Sequence, residues 1–191
     1  KSTEGDYQIK SHSRLAARKL PSAYDPRSSG EITTVKDQAS TGACWAFSAL
    51  ACAEQDLIKK GLENPSAEFS VPALVLSSNS GTATGKDDFS SGGNWLFAAS
   101  ALANGQGLCY EDYEPFLESG TENMIVSENK KSVSEYRLNY VMELSSTTQV
   151  KRKIMELGAV SASYFAGNGY MNHNNTAYYD PDASKNTIIN H

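Results

Sequence analysis

A chain of 191 residues is long enough for one ordinary domain, or two small lobes, with a real core. Apolar residues at 39% and charged residues at 20% fit a globular protein and exclude a disordered one. A net charge of −5 excludes a nucleic-acid backbone binder, which needs a basic face, and no 18-residue apolar run exists to span a membrane.

Residues 1–19 are polar and basic and end in "SRLAARK". They read as a flexible tail or the end of a pro-segment, with Arg14, Arg18 and Lys19 as candidate trimming sites. "LPSAYDPR" follows, extended by its two prolines. "EITTVKDQ" is a short strand-like run. A helix is expected over 43–60: Ser40, Thr41 and Gly42 offer cap chemistry, and Lys59, Lys60 and Gly61 close it. A second helix, Ser70 to Leu76, has Ser70 as N-cap. After the loop "SSNSGTATGKDDFSSGG", the run "NWLFAASALANG" predicts a third helix, capped by Asn94 and closed by Gly105. Residues 118–135 are polar and read as a crossing between lobes. Tyr136, Leu138, Tyr140, Met142 and Leu144 then alternate with the period of a half-buried strand. "TTQVKRKIMELG" is a helix ending at Gly158, "AVSASYFA" a strand, and "TIINH" the start of another. Helices dominate the first part and strands the second, which predicts an α+β protein with two lobes. The boundaries are a tail at 1–19, a helical lobe at 20–117, the crossing at 118–135 and a β lobe at 136–191.

Three cysteines, Cys44, Cys52 and Cys109, and three histidines make a poor zinc set. Within one helix Cys44 and Cys52 would lie roughly 12 Å apart along the axis. A disulfide needs Cα atoms within about 7 Å, so Cys44 does not pair with Cys52, and Cys52 with Cys109 is the candidate pair if a disulfide exists. Thiols react as thiolates, and the first turn of a helix turns unpaired N–H groups and the positive dipole end toward its occupant. Cys44 falls in that turn. Acyl transfer also needs donors aimed at a developing oxyanion. The Gln38 side chain and the Cys44 N–H are the candidates. The plain alternative is a buried structural cysteine.

"DQASTGACWAFSA" resembles the active-site segment of papain-like cysteine proteases, Q-G-x-C-G-[SA]-C-[WY]-A-F-S. Further stretches resemble the same family: "LPSAYDPRSSGEITTVKDQ" its mature N-terminus, "FSSGGNWLFAASALANGQGL" its G-C-N-G-G-Y-P-W segment, "GLCYEDYEPF" the turn after it, and "VKRKIMELGAVSASYFA" the approach to its catalytic histidine. The resemblance covers about residues 20 to 191. It departs at the family's usual disulfide, where Thr41 and Ser90 replace both cysteines, and Ser77 stands where another cysteine is usual. That places the chain with divergent bacterial members, similar to surface-layer-processing cysteine proteases of Gram-positive anaerobes.

The resemblance implies a papain-like two-lobed fold, with a helical left lobe and an antiparallel β-barrel-like right lobe. It implies an endopeptidase with Cys44 as nucleophile and Gln38 as oxyanion donor. His12 lies in the basic tail and His173 in a polar loop. His191 follows the apolar "TII" and lies about 147 residues after Cys44, within the ~130–150 of the family. It is therefore the expected base. The family's orienting Asn and its N-S-W-G segment are not among these residues, so the β lobe reads as incomplete. Gly92 and Gly93 would let an extended peptide approach bare backbone. Asn94, Trp95, Ser163 and Ile189 take the places of pocket residues. No metal or organic cofactor is implied. The expected partners are a peptide or protein substrate and a pro-segment, the expected state a monomer, and the expected location secreted or cell-surface in a bacterium. A catalytically silent homologue serving as a binding or surface component is the alternative, and a transpeptidase on the same scaffold a third.

Overall fold

The computed structural model describes residues 19–78, 89, 92–104, 108–113, 115–116, 136–167, 170–172, 174, 177–182, 189 and 191. Four α-helices occur among them: α1 (Cys44–Lys59), α2 (Val71–Ser78), α3 (Trp95–Ala103) and α4 (Thr147–Leu157). Single 3₁₀ turns form at Pro26–Ser29 and Glu111–Tyr113. The expected tail, except Lys19, and the crossing at 118–135 lie outside the described residues, as do His12, Ser90 and His173.

Local chemistry sets the helix ends. The Ala43 carbonyl accepts the N–H groups of Ala46 at 2.9 Å and Phe47 at 3.1 Å, which opens α1. Past its last residue, Gly61 takes φ 68° and the Leu62 N–H returns to the Leu57 carbonyl at 2.9 Å. This left-handed closure suits glycine because other residues meet Cβ strain there. Ser70 caps α2 by accepting the Ala73 N–H at 3.1 Å, and Asn94 caps α3 through Leu96 at 2.9 Å. Ser146 caps α4 through Gln149 at 3.3 Å, and Gly158 follows its last residue.

The described residues fall into two compact units that interleave along the chain. One draws on Lys1–Val35, Ala51–Glu68 and Asn139–Val160, the other on Lys36–Leu50, Phe69–Leu138 and Ser161–His191. The second holds most of the apolar core. There α2 packs on α3, and Phe69, Val71, Leu74, Val75, Ala98 and Ala101 are all at most 5% exposed. Burying a side chain the size of Phe69 or Val75 contributes about 1.5–3 kcal/mol. In the first unit, polar side chains of α1 hold the extended run 31–35. Glu54, 2% exposed, accepts the Thr33 hydroxyl at 3.1 Å. The Gln55 amide, oriented to match donors with acceptors, spans the Glu31 carbonyl and the Thr33 N–H. Lys59 pairs with Glu31 and lies 5.8 Å from the Tyr24 ring centroid.

The β half differs from expectation. Among the described residues strand pairing is limited to single antiparallel contacts, among them the bridges Phe69 with Tyr110 and Met171 with Tyr178. The alternating run from Tyr136 to Leu144 is not part of a named strand among the described residues, and Tyr140, Val141 and Met142 are 49%, 53% and 40% exposed. Period-two alternation by itself fixes which side chains share a face, and a ladder also needs a neighbour to supply N–H and C=O partners. A barrel-like right lobe is not seen among the described residues.

Candidate active site

The turn before α1 is tied by its own hydrogen bonds. The Gln38 amide donates through Nε2 to the Thr41 carbonyl at 2.7 Å. The Gln38 carbonyl receives the Thr41 N–H at 3.2 Å and the Thr41 hydroxyl at 2.7 Å. The Thr41 hydroxyl in turn accepts the Ala43 N–H at 3.4 Å. Ala39, between them, has φ 51°, a left-handed conformation uncommon outside glycine, and the Asp37 carboxylate accepts its N–H at 2.8 Å. A Gln amide carries two N–H donors, so Gln38 keeps one after bonding Thr41.

Cys44, half-buried, is the first residue of α1. Its N–H has no hydrogen-bond partner among the described residues, as first-turn donors generally lack one. The indole of Trp45, 7% exposed, meets Phe97 edge-on with centroids 5.8 Å apart. Gly93 lies flat on that indole: a Cβ there would sit 2.4 Å from Trp45 Nε1. Only a glycine fits without moving the ring. The neighbouring Gly42 N–H donates to the buried Phe89 carbonyl at 2.5 Å.

The same unit carries the candidate histidine. Ser48, one turn beyond Cys44, shares a hydrogen bond with Ser161 at 2.7 Å. From Ser161 the chain runs extended to Tyr164, whose N–H donates to the His191 carbonyl at 2.9 Å while the His191 N–H returns to Tyr164 at 3.1 Å. This reciprocal pair is one hydrogen-bonded antiparallel rung. The exposed His191 ring meets Tyr164 edge-on at 5.3 Å, and Tyr164 meets Tyr178 at 5.2 Å. Tyr178 donates its hydroxyl to the Phe165 carbonyl.

The proposed pocket residues are only partly assembled. Asn94 spends its carboxamide oxygen on the α3 cap. Trp95 is 58% and Ile189 66% exposed, so neither is a core residue, and Ser163 is exposed as well. In the register of the Tyr164–His191 rung, Ile189 falls opposite Ala166 and not Ser163. Sequence reasoning did not single out Ala39, Ser48, Ser161 or Tyr164. Only the Asp37-x-Ala39 spacing, suited to a side-chain turn, was a local signal.

The candidate Cys52–Cys109 disulfide is not formed, and all three cysteines are free thiols. Cys109 is buried and its sulfur donates to the Tyr110 carbonyl at 3.6 Å. Burial, and secondarily the Asp56 carboxylate, push the Cys52 thiol up to about 11, which keeps it protonated. Among the described residues no three His, Cys, Asp or Glu side chains converge to hold a metal ion.

The family pattern described as papain family cysteine protease matches residues 20–191. The chain belongs to the papain family. Among solved members, the cysteine protease and lectin-like domains of Cwp84, a surface layer associated protein of Clostridium difficile, superpose with a TM-score of 0.77 at 27% identity, over 91% of this chain and 38% of that one. Clostridial cysteine protease Cwp84 after propeptide cleavage gives 0.73 at 26%, over 88% and 41%. The probable cysteine protease RD21C of Arabidopsis thaliana is 39% identical over 114 residues, 59% of this chain and 23% of that protein. The chain thus spans less than half the length of these papain relatives. Among the described residues no helix is long and apolar enough to cross a membrane.

Proposed function

We propose that this chain carries the thiol site of a cysteine endopeptidase. The observation that supports it most is the start of α1: Cys44 holds a first-turn position with an unpartnered N–H, beside a Gln38 amide that keeps a spare donor. His191, on the rung with Tyr164 in the same compact unit, is the base.

In this reading the His191 imidazole takes the Cys44 thiol proton. The thiolate attacks the scissile carbonyl carbon, a C–S bond forms, and the carbonyl electron pair moves onto oxygen. The Cys44 N–H and the free Gln38 N–H hold that oxyanion. Collapse breaks the C–N bond, and the amine leaves with the proton from His191. Water then adds to the thioester, giving a proton to the imidazole, and the thiolate departs as the peptide acid is released. An extended peptide pairs with the Gly92–Gly93 backbone, and Asn94, Trp95, Ser163 and Ile189 border the side-chain subsite. The remaining β structure, barrel-like in the family, completes the far wall. Residues 1–19 are a tail or a pro-segment remnant, and the propeptide cleavage named for the Clostridial relative favours the second. The surface-layer association of Cwp84 supports a bacterial cell-surface or secreted location. The enzyme works as a monomer.

The test is cleavage of fluorescein-labelled casein by the full-length protein. Cys44→Ala and His191→Ala should each lower the rate at least ~10³-fold while thermal unfolding stays cooperative. Cleavage by Cys44→Ala at the wild-type rate would reject the assignment.

A further inference from the structure

We propose that Thr41 is a positioning residue for the oxyanion donors, acting through Gln38. The inference rests on the peptidase reading and names a residue that reading does not use. A glutamine amide sits on three rotatable bonds, and a donor stabilises a developing charge only when its direction is set beforehand. Here the Gln38 Nε2 is gripped by the Thr41 carbonyl at 2.7 Å. That carbonyl is useful only if its own peptide is fixed. The Thr41 hydroxyl fixes it on both sides: it donates to the Gln38 carbonyl at 2.7 Å and accepts the Ala43 N–H at 3.4 Å. Ala43 opens α1 and immediately precedes Cys44, the second donor. One hydroxyl therefore links the segment bearing the side-chain donor to the segment bearing the backbone donor.

Two further contacts limit movement of the turn. Ala39 is held in a left-handed conformation by the Asp37 carboxylate, and the Gly42 N–H is anchored on the Phe89 carbonyl at 2.5 Å. With these in place, Thr41 is the remaining element whose side chain determines where Gln38 points. Valine has nearly the same shape as threonine and neither donates nor accepts. Serine keeps the hydroxyl and drops only the methyl group.

The experiment uses the full-length protein in wild-type, Thr41→Val and Thr41→Ser forms. The probes are N-benzyloxycarbonyl-glycine p-nitrophenyl ester and iodoacetamide. The ester acylates the Cys44 thiolate through an oxyanion, and p-nitrophenolate leaves without a proton. Iodoacetamide alkylates the thiolate by displacement and forms no oxyanion. Thr41→Val should lower kcat for the ester by ~10-fold or more, short of the ~10²–10³ for removal of an oxyanion donor. Its KM should stay within about 2-fold, and alkylation of Cys44 within about 2-fold of wild type, because only the donors have been released. Thr41→Ser should restore most of kcat. An unchanged kcat in Thr41→Val, or a Thr41→Ser variant as slow as Thr41→Val, overturns the inference. So does a fall in alkylation parallel to kcat, which would mark a general disturbance of the helix start. A wild-type protein that neither turns over the ester nor alkylates at Cys44 overturns the peptidase reading itself, which is a different result.

Discussion

Cys44 and Cys52 share one helix, on either side of the change from one compact unit to the other, and their surroundings are opposite. Cys44 stands in the first turn, half-buried, where N–H groups lack partners. Cys52 stands mid-helix, desolvated, with Asp56 one turn further on the same face. The amino acid is the same and the backbone conformation is the same. Burial first, then a neighbouring carboxylate, together with position along the helix, make one thiol a candidate nucleophile and the other an inert interior group. Reactivity is thus a property of the site, not of the residue type.

The contrast can be broken most directly with iodoacetamide at pH 8, followed by mass mapping of the labelled peptides. A thiol near pKa 11 has only ~0.1% thiolate at that pH, so Cys44 should be alkylated at least ~10²-fold faster than Cys52. Comparable rates would remove the distinction. Asp56→Asn sharpens it, since losing the second cause of the Cys52 shift should speed Cys52 alone, by a few-fold.

A second measurement follows stability against pH. Cys52 is raised from its ordinary 9.0 to about 11 in the folded protein. The native state then keeps a proton that the unfolded chain gives up. Its contribution is present in full below about 9 and is lost as pH rises toward about 11, by an amount on the order of 2 kcal/mol. Urea titrations across that window should show the decline in wild type and a flatter profile in Cys52→Ala. An identical slope in both would place the loss elsewhere.

The smallest effect comes from Gly93→Ala. The added methyl would fall on the Trp45 indole, and overpacking of this kind costs about 1–2 kcal/mol in a urea melt. The disturbance lies beside Cys44, so alkylation of Cys44 should change while the pH profile assigned to Cys52 does not.

Sequence and structure agree where the information is local. Ser70 and Asn94 were recognisable as caps because a short polar side chain before an apolar run meets the free N–H groups of a helix start. Gly61 and Gly158 were recognisable as stops for the complementary reason. Gln38 and Cys44 stood out because their residue types and spacing suit one chemistry. The alternation from Tyr136 to Leu144 says which side chains share a face, and it carries no information on which residues would pair with them. Long-range pairings were equally illegible: nothing near Ser48 announces Ser161, and nothing near Tyr164 announces His191. Thr41 was visible only as cap chemistry and as a missing cysteine. Its grip on the turn depends on a left-handed Ala39 that no propensity would suggest.

The segment that aims Gln38 is fastened by hydrogen bonds, and every cysteine in the protein is a free thiol. Dithiothreitol, which thiol hydrolases need to keep their sulfur from oxidising, therefore finds no covalent brace to cut. Strongly reducing buffer should leave the folded architecture of these 191 residues in place.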